Sequence, residues 1–304
     1  MKKSTITILD GGMGRELERR GAPFKQPEWS ALAMMEAPEL VKEVHKDFIK
    51  SGAQVIMTNS YALVPFHIGE KRFQTQGKSL ATSAGQVARA AVEETQAYTR
   101  IAGSIPPLFG SYRADLYQPE RVDEIATPLI EGLSPYCDLW LCETQSLIDE
   151  PVRVKSLIDK LDEKKKPVWV SFTLEDSIPT SEPLLRSGEP VVEAVAAMSK
   201  IGVDAILFNC CQPEVIAKAI QVTRATLISL NAGKIEIGAY ANAFPPQPKN
   251  ATANEGLDVV RKDMSPSAYL NWAQQWRQAG ATLIGGCCGI GPDHIALLSE
   301  KLRT

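Results

Sequence analysis

The residues in this chain most able to do chemistry are its six cysteines, at positions 137, 142, 210, 211, 287 and 288. Cys287 and Cys288 follow the run Leu283-Ile284-Gly285-Gly286 and precede Gly289, close to the C-terminus. Neighbouring side chains on an ordinary strand point to opposite faces. Flanking glycines permit backbone angles closed to other residues, so both sulfurs are expected to lean toward one point at a strand end. Adjacent thiols make a poor disulfide framework and a better site for a soft metal ion. Two thiolates do not complete a zinc site, so at least a third ligand must come from elsewhere in the chain.

Two carboxylates also stand at the ends of apolar runs. Asp10 leads into Gly11-Gly12-Met13-Gly14. That run reads as an N-cap with a flexible turn, or as a loop whose backbone N–H groups hold a substrate carboxylate. It lacks the G-x-G-x-x-G spacing of a dinucleotide site. Glu143, beside Thr144, reads as a helix cap or as an acid suited to the ammonium group of a small substrate. His45, His67 and His294 are scattered over helical or loop segments and receive no catalytic role.

Short β-branched runs alternate with helical patterns along the whole chain and must position these groups. Strands are expected at Thr5–Leu9, Gln54–Thr58, Arg100–Ser104, Asp138–Cys142, Val168–Thr173, Ala205–Cys210, Lys234–Tyr240 and Thr282–Gly286. Helical spacing appears at Glu39–Ser51, Gly77–Tyr98, Pro119–Leu133, Glu150–Lys160, Val191–Ile201, Pro213–Ala225 and Ser267–Ala279, with a further helix opening at Pro292. Gly52, Gly202 and Gly280 fall where helices should stop. Eight strands alternating with helices predict an α/β fold, a (β/α)₈ TIM barrel forming a single domain over residues 1–304. Polar or reactive residues end each apolar run, and in a barrel these collect at the C-terminal face, where active sites form. Longer segments rich in Pro, Gly and aromatics (Ala22–Met35, Leu63–Gln76, Ile105–Gln118, Leu174–Glu189, Ala243–Met264) are expected to form the rim and lid of a pocket.

Cys210 ends the sixth strand while Cys287 and Cys288 end the eighth, one neighbour away in a closed barrel. Three thiolates with an open fourth position suit a catalytic zinc ion, at roughly 2.3 Å per Zn–S bond. A closed structural site would want a fourth ligand at CxxC-like spacing, and the chain shows none. Cys211 is expected to point away from the metal, and Cys137 and Cys142 read as core thiols.

Composition excludes several other classes. The chain has 304 residues, 44% hydrophobic and 23% charged, with a net charge of −3. It carries no basic block for nucleic acid or an anionic membrane, and no stretch long enough to span one. The N-terminus has no apolar secretory core, and with the thiol pattern this predicts a cytoplasmic protein.

Taken together, Leu9-Asp10-Gly11-Gly12-Met13, Trp29-Ser30-Ala31, Thr58-Asn59-Ser60-Tyr61, Cys142-Glu143-Thr144, Ser171-Phe172-Thr173, Asn209-Cys210 and Gly285-Gly286-Cys287-Cys288 resemble the homocysteine S-methyltransferase family. The resemblance covers nearly the whole chain, and G-G-C-C with an upstream N-C is its specific element. It implies a (β/α)₈ barrel whose catalytic metal, Zn²⁺, sits on Cys210, Cys287 and Cys288. It also implies a homocysteine site lined by Asp10, Gly11, Thr58 and Glu143. A metal-held thiolate attacks a methyl group far better than a free thiol, whose pKa near ~8.5 leaves it mostly protonated at neutral pH. The donor must be an onium or a cobalt-bound methyl. A sulfonium such as S-methylmethionine is the first expectation, since the chain lacks folate and cobalamin modules and the extension of betaine-type members. Trp29, Tyr61, Phe109, Tyr112 and Tyr240 are candidates to hold the onium by cation–π attraction. The alternatives are a betaine- or corrinoid/folate-linked methyltransferase domain, or a non-catalytic zinc-binding regulatory barrel, against which the acid at 143 argues. Partners are then small molecules, and nothing in the sequence sets an oligomeric state.

Overall fold

The computed structural model describes residues 5–178, 180–248, 251 and 259–303. Eight strands lie at Thr7–Ile8 (β1), Val55–Met57 (β2), Arg100–Ile105 (β3), Leu139–Gln145 (β4), Val168–Phe172 (β5), Ala205–Asn209 (β6), Glu236–Tyr240 (β7) and Leu283–Ile284 (β8). All eight occur where the sequence predicts them. They form one parallel sheet in the order β1-β8-β7-β6-β5-β4-β3-β2. The two ends meet through a parallel bridge between Leu9 and Val55, flanked by Asp10 N–H to Val55 O (3.0 Å) and Gln54 N–H to Ile8 O (2.7 Å). The sheet is therefore closed, and its strands alternate with helices as in a TIM barrel.

Strict alternation along the strands separates two apolar clusters. Leu9, Val55, Ala102, Leu139, Leu141, Trp169, Ala205, Leu207 and Leu283 fill the barrel interior. Ile56, Ile101, Trp140, Val170, Ile206 and Ile284 face outward into the layer beneath the helices. Strands buried on both faces read as continuous apolar runs, which is why the sequence marks them so clearly. Followed upward, the inward parity reaches Ser104, Glu143, Ser171, Asn209, Tyr240 and Cys287. A polar layer thus caps an apolar barrel core at the carboxyl ends of the strands.

Gly52, Gly202 and Gly280 take positive φ (99°, 72° and 125°) at helix ends, as expected of C-terminal caps. The loops are less bare than their composition suggests. The segment at 22–35 contains the start of a helix, Ser30–Glu36, and Pro65–Ile68 is a single helical turn. The helix expected from Gly77 begins at Glu70, directly after Gly69 at φ 79°. Gly77 lies inside it because a Cβ there would meet the Phe73 ring at 2.9 Å. Part of the 243–264 segment (249, 250 and 252–258) and residue 179 lie outside the described residues. No helix among the described residues is long and apolar enough to cross a membrane.

Candidate active site

The sulfurs of Cys210, Cys287 and Cys288 all lie within 4.8 Å of one another at the top of the barrel, with Cys210 Sγ and Cys287 Sγ 3.1 Å apart. Different local devices bring them there. Cys287 keeps the inward parity of Leu283. Cys210 would face outward by parity, after inward Asn209, but its φ of 53° breaks the alternation. Cys211 then turns into the outer core and is fully buried. The Cys210 carbonyl is held by two hydroxyls, Thr173 Oγ1 and Tyr112 OH, each donating at 3.2 Å.

The glycines of the Gly-Gly-Cys-Cys run work differently from the expectation. Neither Gly285 nor Gly286 has positive φ; in this loop only Gly289 does, at 81°. What these glycines supply is closeness. A Cβ on Gly285 would lie 2.5 Å from Leu9 Cβ, and one on Gly286 would lie 2.2 Å from Ile290 Cγ2. From the other side, a Cβ on Gly12 would lie 2.6 Å from the Cys287 carbonyl oxygen. The two glycine-rich loops, after β1 and after β8, are packed backbone to backbone.

A cavity of about 200 Å³ opens onto the sulfurs, and Asp10, Gly11, Thr58, Glu143 and Tyr240 are among the residues lining it. Glu143 belongs to β4 itself, not to a helix cap, since the next helix begins at Asp149. Its Oε1 accepts from the Ser104 hydroxyl. Burial raises its carboxyl to about 7, with the Ser104 bond opposing and the Cys288 charge adding to the rise. Asp10 accepts from Met57 N–H through Oδ2 (2.8 Å), while its buried Oδ1 has no partner among the described residues. Burial also lifts its carboxyl well above the usual range. Within 10–12, the Asp10 amide bonds Val55 O (3.0 Å) and the Gly12 amide bonds Ile290 O (2.9 Å), which leaves that of Gly11. Thr58 is committed to the scaffold. Its oxygen accepts from Ser104 N–H (3.0 Å). Because the Ser60 hydroxyl donates to Ser104 O (2.7 Å), Thr58 donates to Ser60 (2.8 Å).

The donor set fits a thiophilic cation. Mutual hydrogen bonding from Cys210 and Cys287 holds the Cys288 thiol well below its usual range, against burial and with help from the Arg15 guanidinium. Cys287 is pushed up by its bonds to the other two and by burial. Cys210 is raised as well, the bond to Cys288 and burial outweighing the Cys287 contact that lowers it. Three like groups this close ionise together only beside a positive charge. The other thiols have no such company: burial pushes Cys137 up to about 12, and Cys142 and Cys211 higher still.

Of the aromatics singled out from sequence, Trp29, Tyr61, Tyr112 and Tyr240 line the cavity. Phe109 does not; it packs edge-on against Tyr117 at 5.7 Å. The loops add Phe24, Phe244 and Gln247, and the helix Met13–Arg19 adds Arg15; sequence reasoning missed them because nothing local marks their direction. Arg15 lies over the Phe244 ring (5.1 Å) and Arg186 over that of Tyr112 (5.1 Å), so one face of each is engaged. His67 also reaches the cavity wall, with Nδ1 3.1 Å from Pro27 O. His294 caps the last helix, and His45 is buried in the outer layer. Of the seven non-glycine residues with positive φ among those described, Trp29, Tyr112, Thr144 and Cys210 stand in or beside this mouth. Such backbone is expected to concentrate at functional sites.

A closed parallel barrel with three converging thiols and two buried carboxylates at its carboxyl-terminal mouth defines a thiol-rich metal-site barrel with a small-molecule pocket. The chain belongs to the homocysteine S-methyltransferase family, whose profile matches residues 7–302. It is 30% identical to the homocysteine S-methyltransferase of Escherichia coli K12, over 99% of this chain and 96% of that one. It is 26% identical to homocysteine S-methyltransferase 1 of Brassica oleracea, over 97% of this chain and 93% of the relative. The crystal structure of the homocysteine methyltransferase MmuM from Escherichia coli in its metallated form superposes with a TM-score of 0.78 at 29% identity. It covers 98% of this chain and 97% of that one.

Proposed function

We propose that the chain is a single-domain, cytoplasmic, zinc-dependent methyltransferase that moves a methyl group from a small sulfonium, such as S-methylmethionine, to the sulfur of homocysteine. The observation that carries this reading is the meeting of three sulfurs, two buried carboxylates and an aromatic wall in one cavity. Cys210, Cys287 and Cys288 would hold the ion, which when bound supplies the Lewis acidity that keeps the incoming thiol ionised at neutral pH. Everything else falls to the chain's own residues. Glu143 accepts from the α-ammonium of homocysteine, whose charge brings the raised carboxyl back into its ionised form. Asp10 Oδ1 is a second acceptor beside it, and the Gly11 amide, which has no hydrogen-bond partner among the described residues, would meet the carboxylate.

The donor's positive charge suits the half-buried rings of Trp29 and Tyr61 on the wall of the cavity, which the buried Tyr240 also lines. In the transfer, the bond from the donor sulfur to the methyl breaks as the bond to the homocysteine sulfur forms. The donor leaves as a neutral thioether. Opposite charges disappear along this path, so a water-poor, aromatic-lined site favours the transition state over bulk water. The parts placed by the fold supply orientation.

The test is to incubate zinc-loaded protein with homocysteine and, separately, S-methylmethionine, S-adenosylmethionine, dimethylsulfoniopropionate or glycine betaine, and to quantify methionine. Methionine from a sulfonium without folate or cobalamin is expected. Turnover with betaine alone would replace the donor. Activity only with methylcobalamin or methylfolate would replace the reaction. In the same assay Cys287→Ala should lose both its zinc and its turnover, whereas Cys211→Ala should keep its zinc.

A further inference from the structure

We infer that Asn209 is a positioning residue that sets the substrate acid Glu143 and the thiol of Cys210 relative to each other, although it touches neither substrate nor metal. The inference rests on the homocysteine reading above. Asn209 is fully buried and does not line the cavity.

The motivating feature is an irregularity in β4. Cys142 pairs with Val170 and Gln145 with Phe172, so one extra residue is accommodated on β4 immediately after Glu143. Bulges of this kind are rare in parallel pairs and serve to re-aim a side chain. The bulge is made by Thr144 at φ 57°, a left-handed conformation that a β-branched residue enters only under constraint. Asn209 is the constraint. Its Oδ1 accepts from Thr144 N–H (3.0 Å) and its Nδ2 donates to Thr144 Oγ1 (2.8 Å), so one amide grips both ends of the residue. Ser171 Oγ also donates to Oδ1 (2.6 Å). That bond braces the grip from β5, the strand between β4 and β6.

The same residue governs the other half of the site. Asn209 closes β6, and the peptide after it leads to Cys210 at φ 53°. One side chain thus ties the bend that follows the acid to the bend that carries the thiol. An aliphatic residue at 209 would fill the space but release Thr144 toward ordinary extended backbone. Glu143, one residue earlier, would then lose its set direction even though Ser104 still donates to it. The Cys210 carbonyl would keep its two hydroxyl donors, so the metal thiols should be disturbed less than the acid.

The experiment uses zinc-loaded full-length protein and compares wild type, Glu143→Gln, Asn209→Ala and the double variant Asn209→Ala/Thr144→Gly. Homocysteine KM, donor KM, zinc per chain and a calorimetric homocysteine Kd are measured on each. Asn209→Ala should raise homocysteine KM and Kd at least tenfold, with donor KM within about twofold of wild type and zinc retained. The double variant should recover most of that loss, because glycine takes positive φ without a side-chain penalty. A purely structural role predicts no recovery. An unchanged homocysteine Kd in Asn209→Ala, or a double variant no better than the single, overturns the proposal. Should Asn209→Ala fail to fold, Thr144→Val carries the test. It removes the oxygen that Nδ2 donates to, which also meets the Tyr61 hydroxyl, so homocysteine Kd must still rise, and by more than donor KM. A wild-type protein that makes no methionine removes the functional reading itself. A working wild type with a defective Glu143→Gln and silent Asn209 variants removes only the positioning role.

Discussion

At the scale of single residues, the site is defined as much by what is missing from side chains as by what they carry. Gly12 contributes no functional group, yet a methyl at that position would press on the carbonyl of Cys287, a backbone atom with no flexible end to swing aside. Gly12→Ala should therefore weaken zinc binding at least tenfold while leaving all three thiols in place, measured by competition with a chromophoric chelator. Zinc affinity equal to wild type would show that the two loops are not mechanically coupled. Glu143→Gln tests the opposite case, a residue proposed to act through its charge. Homocysteine KM should rise by the equivalent of roughly 1.5–3 kcal/mol, the scale of a hydrogen bond to a charged group, with zinc still bound; unchanged kinetics would dismiss the role. The thiols and the acid were legible in the sequence because each ends an apolar run. The reason for the glycines was not. A glycine signals that something is excluded, but only coordinates distinguish excluded dihedrals from excluded volume. The left-handed backbone at Thr144 and Cys210 was equally hidden, since neither residue type favours it and tertiary bonds impose it.

At the scale of elements, period-two alternation explains which strand residues meet. Glu143, Ser171 and Asn209 reach one polar layer because each lies two residues beyond an inward apolar residue, namely Leu141, Trp169 and Leu207. Strand positions were therefore readable. Helix starts were harder, because Pro and Gly punctuate turns and also serve packing. Gly77 and Gly85 let Phe73 and Tyr136 lie against the helix Glu70–Thr95. His45 is an ionisable group that an element buries away from the cavity. It lies on the helix Pro38–Lys50, fully buried, with neither ring nitrogen bonded to any described residue. Burial lowers its pKa from 6.5 to about 3. Between those values the unfolded chain binds a proton that the folded chain does not, so stability rises with pH across the window and is lost as pH falls below 6.5. At pH 5 the loss attributable to this residue is about 2 kcal/mol. His45→Leu should remove that slope, so its stability relative to wild type should be greater at pH 5 than at pH 8 in urea titrations. Parallel pH curves for the two proteins would mean that His45 is not buried neutral.

At the scale of the molecule, the question is whether the metal site holds the barrel together or merely sits on it. The sheet is closed by hydrogen bonds between β1 and β8 and by the Leu9–Val55 bridge, all made without the thiols. Both apolar clusters are complete below the polar layer, and of the three site cysteines only Cys287 packs against either. The thiols come from β6 and β8, which already share a neighbour in β7, so an ion between them spans a distance that the sheet has fixed. Zinc should then stabilise only by mass action on a preformed site. At a free concentration a thousand times its dissociation constant that amounts to about 4 kcal/mol, roughly 6 °C in melting temperature for a chain of 304 residues. Stripping the protein with a chelator should lower the melting temperature by about that much, leave the far-ultraviolet circular dichroism unchanged, and be reversed by one equivalent of zinc. If the stripped chain instead loses its helical signal at room temperature, as small zinc-nucleated domains do, the site is part of the fold. The glycine-packed loops after β1 and β8 would then be ordered by the ion and not before it.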